Sequence, residues 1–594
     1  MPTLDEVTPD SSRPLPRMTQ ASLLFFGLML TVPFLNPIHR YPITSFYEEW
    51  WALALGLLAA IAFLLSKPPR IALPSFLWLP GVLLAALLLQ AVAGIAAGRE
   101  FVLFHAGYLS WAALLAVLGA TLSAQVGRPH FFSALATAIL SGALLSATLA
   151  YAQWLHLQLP WQVLFPVPDG AVMANVAQAN ILTSYLWLGI ASAILLCEQA
   201  RLTRLQALIC ILLLGSAAGL TGSRMALLHG FGLLAAALVL FRQEQPAIRI
   251  QRLLLLGLAL IAVVSVWRFF PGRGASAMGR LARPVISGDA RLDIWRDTLT
   301  LIRDHPWLGN GIGNFPWRMV EAAARAPQGA ATHPGVEHAH NIFLQLAADF
   351  GVPLALAVLL FMLVWLVRAY RMPANRDTLW GGSMFIILGI HSLLEYPLWY
   401  ANYLGLFCLV AGAMDTRARQ VAYPARRPLL PMALTAGVAA LIPLLLDYRA
   451  LDHATNRRPA QYSLSDWRQR IDTVATVATS SAMGAYAYIP LAVLMEPEQK
   501  LARQQSYVCE RGMRLWADPV IVTRCAILRD LNGDTRGAQE LLALVQRAYR
   551  DPVRQAAILT TLDLATKKNP KAASLRVFVD RRGVCARHGA LLRR

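Results

Sequence analysis

The stretch from Gly335 to Phe361 reads GVEHAHNIFLQLAADFGVPLALAVLLF. Two histidines, His338 and His340, stand directly before a mostly apolar run that is long enough to span a bilayer. Imidazole exchanges protons near neutral pH, which makes these side chains candidates for acid–base chemistry at the mouth of a membrane helix. The stretch therefore predicts a membrane fold, and it marks where a functional site is expected.

The same apolar pattern recurs along the whole chain. Its 594 residues are 57% hydrophobic and only 14% charged, with a mean hydropathy of +0.49. Apolar blocks of roughly 15–25 residues are typical of a multi-spanning membrane protein. We predict an all-α, polytopic fold with about thirteen transmembrane helices. The predicted spans are 21–37, 51–66, 73–96, 102–123, 131–153, 180–197, 206–221, 225–241, 253–270, 342–367, 379–396, 400–414 and 429–447.

The net charge of +20 is explained mainly by membrane topology. Basic residues lie in every second short loop, from Arg13 and Arg17 before the first span to Arg426 and Arg427 before the last. By the positive-inside rule the N-terminus is cytoplasmic, and an odd number of spans places the C-terminus outside. The basic residues also attract anionic membrane lipids, and no nucleic-acid partner is predicted.

Two polar segments divide the chain into regions. We predict a cytoplasmic tail at 1–20, which is retained because no signal-peptide cleavage site follows it. Transmembrane helices are predicted at 21–270 and 341–447. A large outer loop with an interfacial helix is predicted at 271–340, and an outer helical domain at 448–594.

Prolines separate helix-favouring stretches in this C-terminal domain, as in hairpins of the tetratricopeptide type. Such hairpins would either bind a protein or cap the fold. Three of the six cysteines lie here, and Cys509 with Cys525 could form a disulfide or remain free thiols.

The outer loop contains an amphipathic segment, RLDIWRDTLTLIRDHPWLGNGIGNF, at 291–315. Leu292, Trp295, Leu299 and Ile302 recur at spacings of three and four, so they predict a helix with one apolar face lying in the membrane interface. The glycine-rich turn that follows has no strand before it. We therefore interpret it as a turn and not as a nucleotide-binding loop.

Judged by itself, His340 could be structural, a general base or, with His333 and His338, a zinc ligand. No acidic or thiolate partner stands at a recognised ligand spacing, so no metal site is predicted and the base is favoured over zinc. Arg224 in an outer turn and Arg291 in the amphipathic segment could be lipid anchors. They could instead bind a diphosphate, because guanidinium groups match phosphate oxygens.

Further polar side chains are expected at the same membrane face, approaching from several separate segments. Ionisable residues in or beside spans are costly unless they are paired or functional. The candidates for lining a pocket are His338, Asn341, Gln178, Asn180, His39, Glu49, His391 and Glu395.

Two motifs resemble the Wzy/WaaL superfamily, the O-antigen ligase-like family of undecaprenyl-diphosphate-dependent glycan ligases and polymerases. They are HPWLGNGIGNF at 305–315 and EHAHNIFLQLAADFGVPL at 337–354. In the ligase pattern a histidine is followed by Asn, Ser or Gln, then nine residues and a glycine, as in His340-Asn341 and Gly351. The next marker of that pattern, Gly, Thr or Tyr, is replaced here by Leu354.

Two other blocks are similar to the PglL-type protein O-oligosaccharyltransferases within this superfamily. They are HRYPITSFYEEW at 39–50 and HSLLEYPLWYANYLG at 391–405. A C-terminal domain after the last span is also typical of that branch.

The resemblance implies a bacterial inner-membrane glycosyltransferase whose active site faces the periplasm. It would move a preassembled glycan from undecaprenyl diphosphate to Ser or Thr hydroxyls of a periplasmic, pilin-like protein. His340 would be the catalytic base, and Arg224 and Arg291 would bind the donor diphosphate. No cofactor is expected, because the glycosyl diphosphate bond is already activated. An O-antigen ligase acting on lipid A–core, a Wzy-type polymerase and a transporter of lipid-linked glycans are the alternatives.

Overall fold

Each of the thirteen predicted spans contains a helix in the computed structural model. Nine helices of the described residues are long and apolar enough to cross a membrane. The other predicted spans hold shorter apolar helices, which are Arg204–Leu220, Met225–Val239, Val352–Arg368 and Ala401–Ala413. The prediction of a polytopic helical membrane protein is confirmed. The structure describes residues 15–160, 163–166, 172–239, 245–270, 290–373, 375–423, 429–456 and 463–581.

The helices of the first half precede the outer loop. They are α1 (Arg17–Met29), α2 (Val32–Leu35), α3 (Phe46–Leu65), α4 (Trp78–Val92), α5 (Arg99–Val126), α6 (Arg128–Trp154), α7 (Ala179–Glu198), α8 (Arg204–Leu220), α9 (Met225–Val239) and α10 (Pro246–Phe269). The outer loop and the remaining membrane part follow. Their helices are α11 (Ala290–Asp304), α12 (Phe315–Arg325), α13 (Ile342–Phe350), α14 (Val352–Tyr370), α15 (Arg376–Leu394), α16 (Ala401–Ala413) and α17 (Leu429–Thr455).

Helix α7 forms the centre of the bundle. In its most apolar window 94% of the residues are buried, and it packs against α6, α8 and α15. Because α7 faces protein on nearly all sides, the polar side chains in its first turns, Asn180 and Ser184, point at other helices and not at lipid. Helix α17, with 11% of its window buried, lies at the periphery.

Loops that were predicted to share the cytoplasmic side contact one another. Strand β1 (Arg70–Leu73) pairs antiparallel with β2 (Arg419–Ala422), forming a two-stranded ribbon that the helical prediction missed. The Arg252 guanidinium lies 2.7 Å from the Glu198 carboxylate, and Arg376 donates to the Glu198 carbonyl at 2.6 Å. These contacts join distant loops at one end of the bundle, which agrees with the predicted alternation of sides.

The predicted span at 342–367 is not one continuous helix. Gly351 has φ +92°, in the left-handed region, and separates α13 from α14. A Cβ atom at this position would collide with the carbonyl of Trp307, so the break depends on glycine. The prediction of a single span is therefore wrong here, since a sequence of apolar residues does not reveal a change in helix direction.

The glycine-rich turn is a turn, as interpreted. Gly309, Gly311 and Gly313 have φ values of +72°, +85° and +84°. The Asn310 N–H donates to the carbonyl of Ala348 at 2.8 Å, which docks the turn on the last turn of α13. The glycines thus serve helix packing in this part of the chain.

The predicted amphipathic helix is present as α11, and apolar residues lie on two of its sides. Ile294 and Leu301 pack into a core shared with α13, whereas Leu292 and Leu299 are 47% and 46% exposed. Trp295 is half-buried and its indole N–H donates to the carbonyl of Ala339 at 2.9 Å. The predicted apolar face therefore keeps two exposed leucines, and its position in the membrane interface stays a prediction.

The tail folds as a series of packed helices. They are α18 (Leu464–Ser480), α19 (Gly484–Leu494), α20 (Ala502–Leu515), α21 (Pro519–Leu531), α22 (Thr535–Ala548) and α23 (Pro552–Lys568). Val320 and Ala323 of α12 are fully buried in the apolar core of the tail. Arg550 donates to the carbonyls of Ala326 and Pro327, each at 2.6 Å. Helix α12 of the outer loop and the residues directly after it therefore pack with the tail.

A disulfide joins Cys509 of α20 to Cys525 of α21, while Cys197 and Cys408 are buried free thiols. The two bonded cysteines are separated by 16 positions in the sequence. A cross-link of this length stabilises a fold by about 3 kcal/mol through its effect on the unfolded chain.

We expect the Cys509–Cys525 bond to be present in cells. In a variant that keeps only these two cysteines, PEG-maleimide should modify the denatured protein only after reduction. Modification of both thiols without reductant, in protein trapped directly from cells, would contradict the bond. Because such bonds persist outside the reducing cytoplasm, the expected result would also support an outer position of the tail.

Candidate functional site

His340 lies on the segment that leads into α13, and it faces the residue that follows α15. Its Nδ1 is 2.6 Å from Oε2 of Glu395. The Glu395 residue is 5% exposed, whereas the His340 side chain is 25% exposed. The pair therefore has a buried carboxylate behind an imidazole that opens toward the outside of the protein.

The charge on Glu395 fixes which ring nitrogen of His340 carries the proton. Burial alone would raise the pKa of Glu395, but the hydrogen bonds from His340 and Arg291 and the positive charge of Arg291 outweigh it and lower the pKa to about 2. The ionised carboxylate can only accept, so Nδ1 donates to it. In the neutral imidazole Nε2 then keeps its lone pair, and it has no hydrogen-bond partner within the described part of the chain.

Arg291 binds the other oxygen of the same carboxylate. Its Nη2 donates to Oε1 of Glu395 at 2.6 Å, and its Nε donates to the carbonyl of Leu394 at 2.9 Å. Arg291 is the second residue of α11, so the start of this helix is fixed to the end of α15. The structure thus places a guanidinium and an imidazole on one carboxylate.

Asn180 completes the set. Its amide donates to Oε1 of Glu395 at 2.9 Å, and its side-chain oxygen accepts from Ser223 Oγ at 2.6 Å. Ser223 directly precedes Arg224 in the turn between α8 and α9, so this turn is connected to the same carboxylate. We call His340, Arg291, Asn180 and Glu395 the Glu395 cluster. Sequence reasoning named all four and missed Ser223, although that residue stands beside a candidate arginine.

His391 lies one helical turn before Glu395 and deeper in the bundle. Its Nδ1 and Nε2 of His229 each lie 2.9 Å from the Ser184 hydroxyl. His391 and His229 are 1% and 0% exposed. His391 is therefore part of a buried polar network behind the Glu395 cluster. His229 and Ser184 were not singled out from the sequence, because nothing in their spacing relates them to His391.

The first outer loop is held by His39 and Glu49. His39 lies 2.5 Å from the carbonyl of Asn175 through Nε2, and burial lowers the pKa of its imidazole. The Glu49 carboxylate accepts from the Ala401 N–H at 2.7 Å and from the Tyr108 hydroxyl at 2.8 Å. These contacts fix loops around the site, and in the described part of the chain neither residue hydrogen-bonds to the Glu395 cluster.

Two of the other candidates have contacts that define their role. The His338 ring packs against Tyr396 with a centroid distance of 4.2 Å, and burial lowers the pKa of His338 to about 3. His338 is thus neutral at physiological pH. Asn341 caps α13, because its side chain accepts from the N–H groups of the second and third residues of the helix. Gln178 directly precedes α7, and its side chain caps none of the helix N–H groups.

Two family models match parts of this chain. A family model described as O-antigen ligase (Wzy_C) matches residues 208–360, which include Arg224, Arg291 and His340. A second model, described as virulence factor membrane-bound polymerase, C-terminal, matches residues 379–561, which include Glu395 and most of the tail.

Two relatives come from Acinetobacter baylyi (strain ATCC 33305 / BD413 / ADP1). A "General O-oligosaccharyltransferase" is 26% identical over 395 residues, covering 64% of this chain and 67% of the relative. A "ComP-specific O-oligosaccharyltransferase" is 25% identical over 149 residues, covering 25% of this chain and 26% of the relative. The resemblance expected from the sequence is confirmed. Over residues 208–360 and 379–561 the chain is similar to the O-antigen ligase family, and the comparisons support a membrane glycosyltransferase activity.

Proposed function

We propose that this enzyme transfers a preassembled glycan from undecaprenyl diphosphate to a Ser or Thr hydroxyl of a periplasmic, pilin-like protein. One observation carries the chemical part of the proposal. The hydrogen bond from His340 Nδ1 to Glu395 leaves Nε2 as a proton acceptor at the partly exposed side of the site. A general base must present such a lone pair to the hydroxyl that it deprotonates.

In the proposed reaction, Nε2 of His340 accepts the proton of the acceptor hydroxyl while the hydroxyl oxygen attacks the anomeric carbon. The new carbon–oxygen bond forms as the bond to the diphosphate breaks, so the anomeric centre is inverted. The electron pair leaves with the lipid diphosphate, and the proton stays on His340. Glu395 stabilises the resulting imidazolium, since an adjacent ionised carboxylate favours the charged form.

Arg291 and Arg224 are proposed to stabilise the negative charge that develops on the departing diphosphate. Arg291 is held 2.6 Å from Glu395, which orients its guanidinium before the donor arrives. Preorganised positive charge of this kind is worth more than flexible charge, because it need not reorient as the reaction proceeds. The chain from Glu395 through Asn180 and Ser223 leads to the backbone next to Arg224, so both arginines belong to the same neighbourhood.

The proposed acceptor and location rest on different support. Both relatives are named O-oligosaccharyltransferases, and one is named as specific for ComP, which favours a protein acceptor for this chain. Basic loops gather at the end of the bundle that carries the β1–β2 ribbon, which favours a cytoplasmic position for that end. Under this topology the Glu395 cluster and the tail face the periplasm.

Replacing His340 by alanine is expected to lower the transfer rate by about 10²-fold or more, because the general base is lost. The variant should reach the membrane in normal amounts. His333→Ala is the matched control, since His333 lies on the same segment and is 3.8 Å from Asp293, outside the cluster. Glycan transfer in membranes carrying a defined lipid-linked donor measures the effect, and near-normal transfer by His340→Ala would remove this residue from the mechanism.

Glu395→Gln is expected to lower the rate by about tenfold or more, because the imidazolium loses its counter-charge. Glu321→Gln is the control, as Glu321 also binds an arginine, Arg318 at 2.7 Å, but lies on α12. Glycan transfer in the same membrane assay measures the effect, and near-normal transfer by Glu395→Gln would contradict the role of the carboxylate.

The acceptor can be identified in a ligase-deficient host that supplies a defined lipid-linked glycan. We expect a mass shift on a co-expressed pilin-like protein that is absent with His340→Ala. Modification of lipopolysaccharide alone would assign the enzyme to O-antigen ligation, and extension of the lipid-linked glycan alone would assign it to polymerisation. Either result would overturn the protein acceptor while retaining the chemistry.

A further inference from the structure

His340 has a backbone conformation that a non-glycine residue rarely adopts. Its φ is +52°, in the left-handed region, although the residue carries a full side chain. Such conformations persist only where the surroundings hold them. The contacts that hold this one are therefore part of what aims the imidazole at Glu395.

The peptide groups of Ala339, directly before His340, are held by two side chains from different helices. The Ala339 N–H donates to Oε1 of Gln345 at 2.7 Å, and the Ala339 carbonyl accepts from the indole N–H of Trp295 at 2.9 Å. Ala339 is fully buried. Water is thereby kept from these bonds, and the backbone that enters His340 is fixed on both its donor and its acceptor side.

Gln345 is itself held in one orientation. It is 4% exposed, and its Nε2 donates to Oδ2 of Asp349 at 2.8 Å, one turn further along α13. Because the amide nitrogen faces a carboxylate, the amide oxygen must face Ala339. The side-chain amide of Gln345 thus has a single orientation that satisfies both Asp349 and Ala339.

The hydrogen bond of Trp295 also connects Arg291 with His340, two of the partners of Glu395. Trp295 follows Arg291 by four residues and so lies one turn along the same helix, α11. Arg291, at one end of this turn, donates to Glu395. Trp295, at the other end, donates to the carbonyl of the residue before His340. A shift of α11 would move the guanidinium and the imidazole together.

We infer that Gln345 and Trp295 are positioning residues for His340. They clamp the Ala339 peptide, hold His340 in its left-handed conformation and keep Nδ1 on Glu395 and Nε2 toward the acceptor. This inference rests on the proposed role of His340 as base. Neither residue touches the reacting atoms, and both act through the geometry of His340.

The test compares Gln345→Leu with a matched control, Gln505→Leu. Gln505 of α20 is also a buried glutamine, and its side chain accepts from the Glu498 N–H at 2.9 Å and donates to the Glu496 carbonyl at 2.8 Å, within the tail. Gln345→Leu is expected to lower kcat by about tenfold or more with little change in KM for the lipid-linked donor, because a misplaced base slows the chemical step. Gln505→Leu should lower the unfolding temperature similarly and change kcat much less.

A double-mutant cycle separates positioning from general stability. If Gln345 acts through His340, adding Gln345→Leu to His340→Ala should cause no further loss of the residual rate. Trp295→Phe, which removes the indole N–H and keeps a ring, should show the same behaviour. Gln345→Glu opposes the Asp349 carboxylate, and adding Asp349→Asn should recover part of the rate by restoring a donor opposite the acceptor.

The outcomes distinguish this inference from the proposed function. Full activity of His340→Ala would overturn the role of the base and the clamp with it. Inactive His340→Ala combined with equal kcat losses in Gln345→Leu and Gln505→Leu, or with additive losses in the cycle, would overturn the clamp alone. Recovery in the Gln345→Glu/Asp349→Asn pair together with a non-additive cycle would support it.

Discussion

The site depends on the buried carboxylate of Glu395. Three side chains from three distant segments donate to its two oxygens, namely His340, Arg291 and Asn180. A carboxylate removed from water in this way is stable only while its donors are present. The same requirement that keeps the ion paired therefore brings α7, α11, α15 and the segment before α13 together. The buried carboxylate is therefore the point at which the separate segments of the site converge.

The surrounding elements each constrain one partner of that ion. Helix α7, buried at the centre of the bundle, provides a rigid base for Asn180. Helix α11 carries Arg291 and, one turn on, the indole that holds the backbone before His340. Asn341 caps α13 and also donates to the carbonyl of Leu393, two residues before Glu395. The chain is thus held in place both before and after His340, at Ala339 and at Asn341.

Much of the fold was predictable because long apolar runs must be helical in a bilayer, and each predicted span does contain helix. Individual site residues were also predictable, since burying an ionisable group in a membrane protein costs free energy and such groups are usually paired or functional. Their pairing was not. Glu395 is 55 residues from His340 and 215 from Asn180, and no local pattern encodes such contacts. The break at Gly351, the buried face of α11 and the left-handed His340 likewise depend on which neighbours the folded chain supplies.

The burial of Val320 and Ala323 in the core of the tail has a consequence for protein engineering. Helix α12 precedes α17 in sequence, yet it packs as a member of the C-terminal domain, with Arg550 holding the carbonyls that follow it. In a chimera that takes only the residues after α17 from a homologue, Val320 and Ala323 of the original α12 would meet a tail core from the other protein. The two surfaces would then not match. The unit to exchange is therefore defined by packing and not by continuity in the sequence, and it consists of the tail together with its own α12.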